Sequence, residues 1–388
     1  METGKVHFKG LNGLRFLAAL FVVIGHIPMN QGGAGLPSPS WGAFFFRGAP
    51  AVSFFFTLSG FLITYLLLEE RRRTGGIDVP RFYLRRVCRI WPLYFAVVFF
   101  GLAVYNFALP RLGVHYPVEY RLPVALLLYS LFLPNLMNSL YNVGGILNPS
   151  WSIGLEEQFY LVWAPAVRRA RERLPVLCWT VLAVSLAVFC LNQHEVFGRL
   201  WTQKFVGQLK FHFMAAGALA AWGLHRRPET VPRLKVFTSR VLQVALLAVL
   251  ADYYLLNLLG WSGIPEELVQ LALYPWLILN VAANPRGVLP VENRATDYLG
   301  TISYGIYMLH MIVVYATSAL FRATSWWRGS LPLYCAAYYG MALGLTFLVA
   351  HLSYRYFESP FLRLKDRRFS PLAPARGAPV PDDVPSAA

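Results

Sequence analysis

Apolar residues in this chain come in long runs with few polar interruptions, not at the alternating or helical spacing of a half-buried element. Ten runs of 16–23 residues stand out: 12–30, 49–68, 91–109, 152–167, 175–191, 208–224, 238–257, 266–284, 298–320 and 332–354. Each approaches or reaches the length an α-helix needs to cross a hydrocarbon layer of about 30 Å. The pattern predicts an all-α integral membrane protein, a bundle of about ten transmembrane helices. A further stretch, 123–138, is short and interrupted by Pro134. It reads as a short re-entrant or interfacial segment at the outer leaflet. From residue 366 the chain turns Pro/Ala-rich with no apolar period. Residues 366–388 are expected to form a disordered cytoplasmic tail, leaving 1–365 as one transmembrane domain. No internal repeat is visible.

Composition agrees with a bilayer environment. Hydrophobic residues make up 56% of the 388 and charged residues 14%, with mean hydropathy +0.47. A soluble domain carries about 25% charge. Lys and Arg outnumber Asp and Glu by 35 to 19, a formal net charge of +16. In a membrane protein that excess reports orientation and contact with anionic lipid, not nucleic acid. With the N-terminus in the cytoplasm and 123–138 outside the count of spans, 26 basic residues fall on inner segments and 7 on outer ones, with Arg15 and Lys210 inside spans. The inner clusters are Arg71–Arg73, Arg81–Arg89, Arg168–Arg173, Arg226–Arg240 and the tail. Counting 123–138 as a span would invert everything after it and place 168–173 outside. The first run is too long for a signal-peptide core and reads as an uncleaved span. Both termini are therefore expected in the cytoplasm. The four cysteines, Cys88, Cys178, Cys190 and Cys335, show no metal-ligand spacing and read as small apolar filler.

Candidate chemistry lies where polar groups interrupt the runs. Arg15 and His26 both sit in the first one, eleven residues apart. At 100° per residue that separation comes to about 20° past three turns, so the two stack on one helix face about 16 Å apart. A central Arg in a bilayer costs roughly 2.5–3.5 kcal/mol, so an aligned pair points to a protein interior or wet cavity and to a functional site. The plainer alternative has Arg15 snorkelling to the inner interface and His26 near the outer one. The second run holds Ser53, Thr57, Ser59 and Gly60 among bulky aromatics. They suit close helix packing, or a tunnel wall at Ser59 and Gly60.

The inner loop RFYLRRVCRIWPLYF follows. Arg86 and Arg89, three apart, can grip one anion, with Arg85 flanking them. Arginines there also serve as positive-inside anchors. With aromatics interleaved they suit a phosphorylated cosubstrate such as a coenzyme A pyrophosphate or 3′-phosphate equally well. Glu156 and Glu157 stand near the outer start of the fourth run. A helix N-terminus favours carboxylates; the functional alternative is a carboxylate that orients a histidine or binds a hydroxyl acceptor. Trp151, Phe159 and Tyr160 fit an interfacial belt or a stacking surface for a sugar ring. Ser303, Tyr304, Tyr307 and His310 share one run, where His310 reads as a satisfied interior histidine. Arg355 and Glu358 close the last run as an ion pair or loop anchor.

Taken together, the sequence resembles the acyltransferase family 3, integral-membrane O-acyltransferases that decorate bacterial surface glycans, Nod factors, peptidoglycan and some macrolides. The matching elements occur in family order: the Arg15–His26 pair, FFFTLSGFLI at 54–63, RRVCRIWPLY at 85–94, WSIGLEEQFYL at 151–161, SYGIYMLH at 303–310 and SYRYFESP at 353–360. GLEEQ stands where family members more often have a serine and valine before the first glutamate. Many relatives carry a C-terminal esterase-like domain. None follows here, which implies that transfer is completed in the membrane domain or by a separate partner.

The resemblance implies a bacterial inner-membrane enzyme that takes an acyl group, acetyl first, from cytoplasmic acyl-CoA to a hydroxyl of a carbohydrate or glycosylated acceptor, without a metal. By position it implies Arg15 and His26 as the essential pair, Arg86 and Arg89 as coenzyme contacts with Arg85 and Ser59 beside them, and Glu156 as a further acidic site residue. A transporter or flippase for a lipid-linked sugar is the competing class. Against it, the chain shows no matching halves with Gly/Pro-broken spans.

Overall fold

The computed structural model describes residues 8–38, 48–114, 116–198, 200–291, 293–324 and 329–369. Those residues contain helices and turns and no strand. The longer helices are α1 (Leu11–Gly33), α2 (Gly48–Thr74), α3 (Val79–Ala103), α4 (Leu122–Ser130), α5 (Pro134–Leu140), α6 (Ser150–Ala170), α7 (Leu174–Gln193), α8 (Trp201–Gln208), α9 (Phe211–Arg226), α10 (Arg240–Ala251), α11 (Gly263–Ala283), α12 (Arg294–Thr301), α13 (Ser303–Ala323), α14 (Leu331–Leu352) and α15 (Ser359–Arg368).

Six helical stretches are long and apolar enough to cross a membrane: Leu11–Gly33, Gly48–Thr74, Val79–Arg111, Ser150–Gln193, Ser303–Ala323 and Leu331–Arg368. The chain is thus a multi-pass helical membrane protein. A turn at Arg171 (φ 44°) divides the fourth stretch into α6 and α7. The other expected spans correspond to helices outside that count of six, α9, α10 and α11. The expected span 298–320 is broken: α12 is started by an Asn293 capping box and stops at Ile302, and α13 begins at Ser303. The expected tail overlaps the end of α15 through Arg368, and its residues from 370 lie outside the described part.

The segment 123–138 forms two short helices, α4 of nine residues and α5 of seven. At 1.5 Å per residue neither reaches about 30 Å. A left-handed Phe132 (φ 55°) turns the chain between them. The segment is bound into the bundle: Gln158 donates to the Phe132 carbonyl at 2.8 Å, Tyr94 to the Tyr129 carbonyl at 3.1 Å, and Asn138 to Asn148 at 3.0 Å. Asn135 and Asn138 are buried. The start of α6, with Ser150 and Ser152, is buried with them.

The turn between α2 and α3 follows from its sequence, TGGIDVP. Gly75 takes φ 75°, Asp78 accepts from the Arg81 amide at 3.0 Å, and Pro80 stands in the first helical turn. The capped helix therefore starts at Val79, twelve residues before the expected span at 91. The arginines expected in an inner loop lie on the first three turns of α3.

At the centre, α2 packs against α1, α6, α9 and α11. Its contact with α9 is backbone to backbone. A Cβ on Gly60 would fall on the Met214 carbonyl, and one on Gly217 on the Thr57 carbonyl. Small residues permit this approach, as membrane helices require in place of a hydrophobic drive. Gly60 is therefore a packing residue and not a tunnel wall. At the other end of the chain, Glu358 accepts from Ser353 at 2.9 Å, so it anchors its own turn and forms no ion pair with Arg355 among the described residues.

Gly217→Leu is expected to force α2 and α9 apart. Overpacking costs about 1–3 kcal/mol even where side chains can yield, and here the obstacle is main chain. Thermal unfolding of the detergent-solubilised variant should start several degrees below the wild-type protein; an unchanged transition would show that the helices are not held this closely.

Candidate active site

Helices α1, α2, α3, α6 and α13 enclose a cavity of about 300 Å³. Arg15 enters it from α1, Ser59 from α2, Arg86 and Arg89 from α3, Glu156 from α6 and Tyr307 from α13. Five of the candidate residues, from four helices, thus meet at one place. Arg86 and Arg89 are one turn apart on α3 and share its inward face, as their i, i+3 spacing requires.

The carboxylate is held by two hydroxyls. Ser59 donates to one oxygen of Glu156 at 3.0 Å, and Tyr160 donates to the other at 2.9 Å. The two hydroxyl oxygens are themselves 2.8 Å apart. Tyr160 follows Glu156 by four residues, so the helix itself aligns them. The Arg86 guanidinium lies over the rings of Phe82 and Tyr160, 5.6 and 5.8 Å from their centroids. Its Nε is buried with no hydrogen-bond partner. Among the described residues, none of Arg15, Arg86 and Arg89 is ion-paired to a carboxylate. Three guanidiniums therefore face a cavity with one acidic side chain in its wall. Such a site suits an anion, and planar arginines suit phosphate or carboxylate oxygens.

Glu156 is not at the start of its helix. It lies six residues into α6, whose first turn holds no acid. A helix-terminus role does not apply to it. Its neighbour Glu157 faces elsewhere and accepts from the Trp91 indole at 3.1 Å. Arg85 also points away from the cavity. Its guanidinium pairs with Glu70 at 2.7 Å, and Glu70 in turn accepts from the Asp78 amide at 2.8 Å. Arg85 therefore clamps the α2–α3 turn. It differs from Arg86 by 100° of helix phase, enough to change its partner.

His26 does not line the cavity. It lies three turns along α1 from Arg15 and faces α13, where its ring stands 5.0 Å from that of His310. A run of rings links the two places: Phe55 and Tyr307, both in the cavity wall, are 6.0 Å apart, and Tyr307 is 6.0 Å from His310. His310 is fully buried. Sequence alone suggested a satisfied interior histidine, and its Nδ1 does donate to the Tyr307 carbonyl at 2.6 Å. Its other nitrogen meets His26. Tyr160 and Tyr307 are the site residues whose hydroxyl chemistry was not foreseen. Tyr307 meets Ser152 at 2.6 Å and the Pro149 carbonyl at 3.2 Å. The available signal was their spacing, Tyr160 four residues after Glu156 and Tyr307 three before His310. Among the described residues, no three His, Cys, Asp or Glu side chains gather as metal ligands would.

The fold and this cavity define a multi-pass helical membrane protein with an arginine-walled interior. The family model described as an acyltransferase domain matches residues 8–351, and the chain belongs to that family, acyltransferase family 3. It is similar to the O-acetyltransferase OatA of Staphylococcus aureus strain NCTC 8325, at 24% identity over 96% of this chain and 60% of that protein. It is also similar to the putative O-acetyltransferase SACOL0978 of S. aureus strain COL, at 24% identity over 92% of this chain and 57% of that protein. The chain spans about three-fifths of the length of these curated relatives. No solved structure matches it.

Glu156→Leu would strip two hydroxyls of their acceptor and leave the three arginines with no acid among them. Each hydrogen bond to a charged acceptor that is lost costs about 1.5–3 kcal/mol. Thermal unfolding in detergent should show the largest loss for Glu156→Leu and a clearly smaller one for Glu156→Gln, which keeps an acceptor oxygen.

Proposed function

We propose that the protein is a membrane-bound O-acyltransferase that moves an acyl group, acetyl foremost, from acyl-CoA at the cytoplasmic side to a hydroxyl of a carbohydrate or glycosylated acceptor. The observation that carries this reading is the convergence of Arg15, Arg86 and Arg89 on one cavity. Family membership supplies the reaction class, and the O-acetyltransferase relatives supply acetyl as the first group to test.

In this reading the chain lies in a bacterial inner membrane with about ten spans and both termini in the cytoplasm. The basic bias toward inner segments supports that orientation. The arginine-rich start of α3 then faces the cytoplasm, where acyl-CoA is found. Phosphates of the coenzyme sit on Arg86 and Arg89 at the inner mouth, with Arg15 deeper. The cavity is at the lower end of the usual range of about 300–1,000 Å³. It has room for the thioester arm, while the nucleotide stays outside. Ser59 and Tyr160 hold Glu156 beside the path of the arm. Arg85, tied to Glu70, shapes the turn that carries the other two arginines.

His26 acts on the acyl transfer as general base toward the acceptor hydroxyl, or as a nucleophile that takes the acyl group and passes it outward. Either role needs the acyl carbon to come within reach of the imidazole. Phe55 and Tyr307 stand on the way, so the reading requires these rings to turn aside when the donor enters. A sugar flippase would have no use for coenzyme A.

Three outcomes test the proposal with purified protein and radiolabelled acetyl-CoA. His26→Ala should fold and lose transfer. Arg86→Ala combined with Arg89→Ala should raise the donor KM at least tenfold, since a hydrogen bond to a charged group contributes about 1.5–3 kcal/mol. Coenzyme A should raise the thermal transition of the wild-type protein and have little effect on that double variant. Wild-type turnover in His26→Ala, or no shift with coenzyme A, would overturn the reading.

A further inference from the structure

The two histidines form a defined hydrogen-bonded pair. A carbonyl oxygen can only accept, so the 2.6 Å contact between His310 Nδ1 and the Tyr307 carbonyl places a hydrogen on that nitrogen. The Nε2 of neutral His310 is then a bare acceptor. It lies 3.3 Å from His26 Nδ1. His26 Nδ1 is also 2.8 Å from the Val22 carbonyl, four residues back on α1. That carbonyl likewise requires a hydrogen. His26 therefore carries its proton on Nδ1, shared between Val22 and His310, and presents the lone pair of Nε2. No described residue hydrogen-bonds that Nε2.

The two acceptors of the His26 proton differ in what they can do. The Val22 carbonyl orients the ring but cannot take the proton. The His310 imidazole can. No carboxylate touches either ring among the described residues, so the orienting acid found beside many catalytic histidines has no counterpart here.

We propose that His310 is the proton partner of His26, a positioning residue that takes up the Nδ1 proton when Nε2 reacts. The inference rests on the acyltransferase reading above for its chemistry. In the general-base version, the acceptor oxygen bonds to the thioester carbonyl carbon and its proton goes to His26 Nε2. The Nδ1 proton passes to His310 Nε2. The carbon–sulfur bond breaks, the thiolate takes the proton from His26 Nε2, and His310 returns its own to Nδ1. The sum is hydroxyl plus thioester giving ester plus thiol, with both rings restored. Charge that would build on one imidazole is spread over two. His310 is fully buried, so it holds the second proton only until His26 Nε2 is released.

The test uses full-length His310→Leu and His310→Gln. Glutamine can accept the hydrogen bond from His26 but cannot take its proton. Transfer from acetyl-CoA gives the first readout: kcat should fall about 100-fold in His310→Leu, the low end of the usual proton-transfer contribution, with donor KM within about twofold of wild type. His310→Gln should recover part of the loss. The second readout needs no donor. Ethoxycarbonylation of His26 by diethyl pyrocarbonate, followed by peptide mass spectrometry, reports the reactivity of Nε2. It should slow at least tenfold in His310→Leu. If His26 labelling and kcat match wild type in that variant, the inference is overturned while the acyltransferase reading stands. If KM and thermal stability change and kcat does not, His310 is structural only, and the inference is again overturned. If wild-type protein transfers nothing from acetyl-CoA but its His26 labelling still depends on His310, the functional reading fails and the histidine pair stands.

Discussion

Three guanidiniums inside a helical bundle, with a single carboxylate in the wall they share, are the constraint around which this protein is built. Each would be costly against lipid, so the helices that carry them must face one another. Arg15 turns α1 inward, Arg86 and Arg89 turn α3, and Glu156 turns α6. The hydroxyls of Ser59 and Tyr160 complete the shell on the acidic side. Arg86 spreads its charge over two aromatic faces. The remaining positive excess suits a bound anion, which joins the packing of the bundle to the chemistry proposed for it.

Much of this was legible in the sequence because a bilayer makes polar residues conspicuous. Arg15, Ser59, Arg86, Arg89 and Glu156 each interrupt an apolar run, and all five line the same cavity. The segment 123–138 was legible from its shortness and the break at Pro134, and its helices of nine and seven residues are too short to span. What could not be read was which helices become neighbours. His310 lies 284 residues from His26, and a lone histidine in an apolar run looks the same whether it meets a carbonyl or another imidazole. Arg85 and Arg86 are adjacent in the chain, yet only the turn between α2 and α3 shows that one is committed to Glu70. Glu156 looked like a residue near the mouth of a span. The start of α6 is buried, and Glu156 lies further along it in the wall of the cavity.

The divided environment of the site has a chemical logic. The wall of the cavity mixes Arg15, Arg86, Arg89, Glu156, Ser59 and Tyr160 with Phe55, Phe56 and several leucines. The imidazoles lie past the rings of Phe55 and Tyr307. If the cavity holds a thioester as proposed, aromatic side chains separate it from the two histidines. Such a partition limits the exposure of a reactive acyl group to water. In the proposed reaction those rings would have to turn aside, a fast and local motion, before donor and imidazole could meet.

The glycine contacts between α2 and α9 bear on where such motion can occur. Two main chains in direct touch leave no compressible layer of side chains between them, so these helices behave as one rigid strut. Ser59 is carried on that strut, next to Gly60. Any change in the width of the cavity then moves α2 and α9 together, and Ser59 with them.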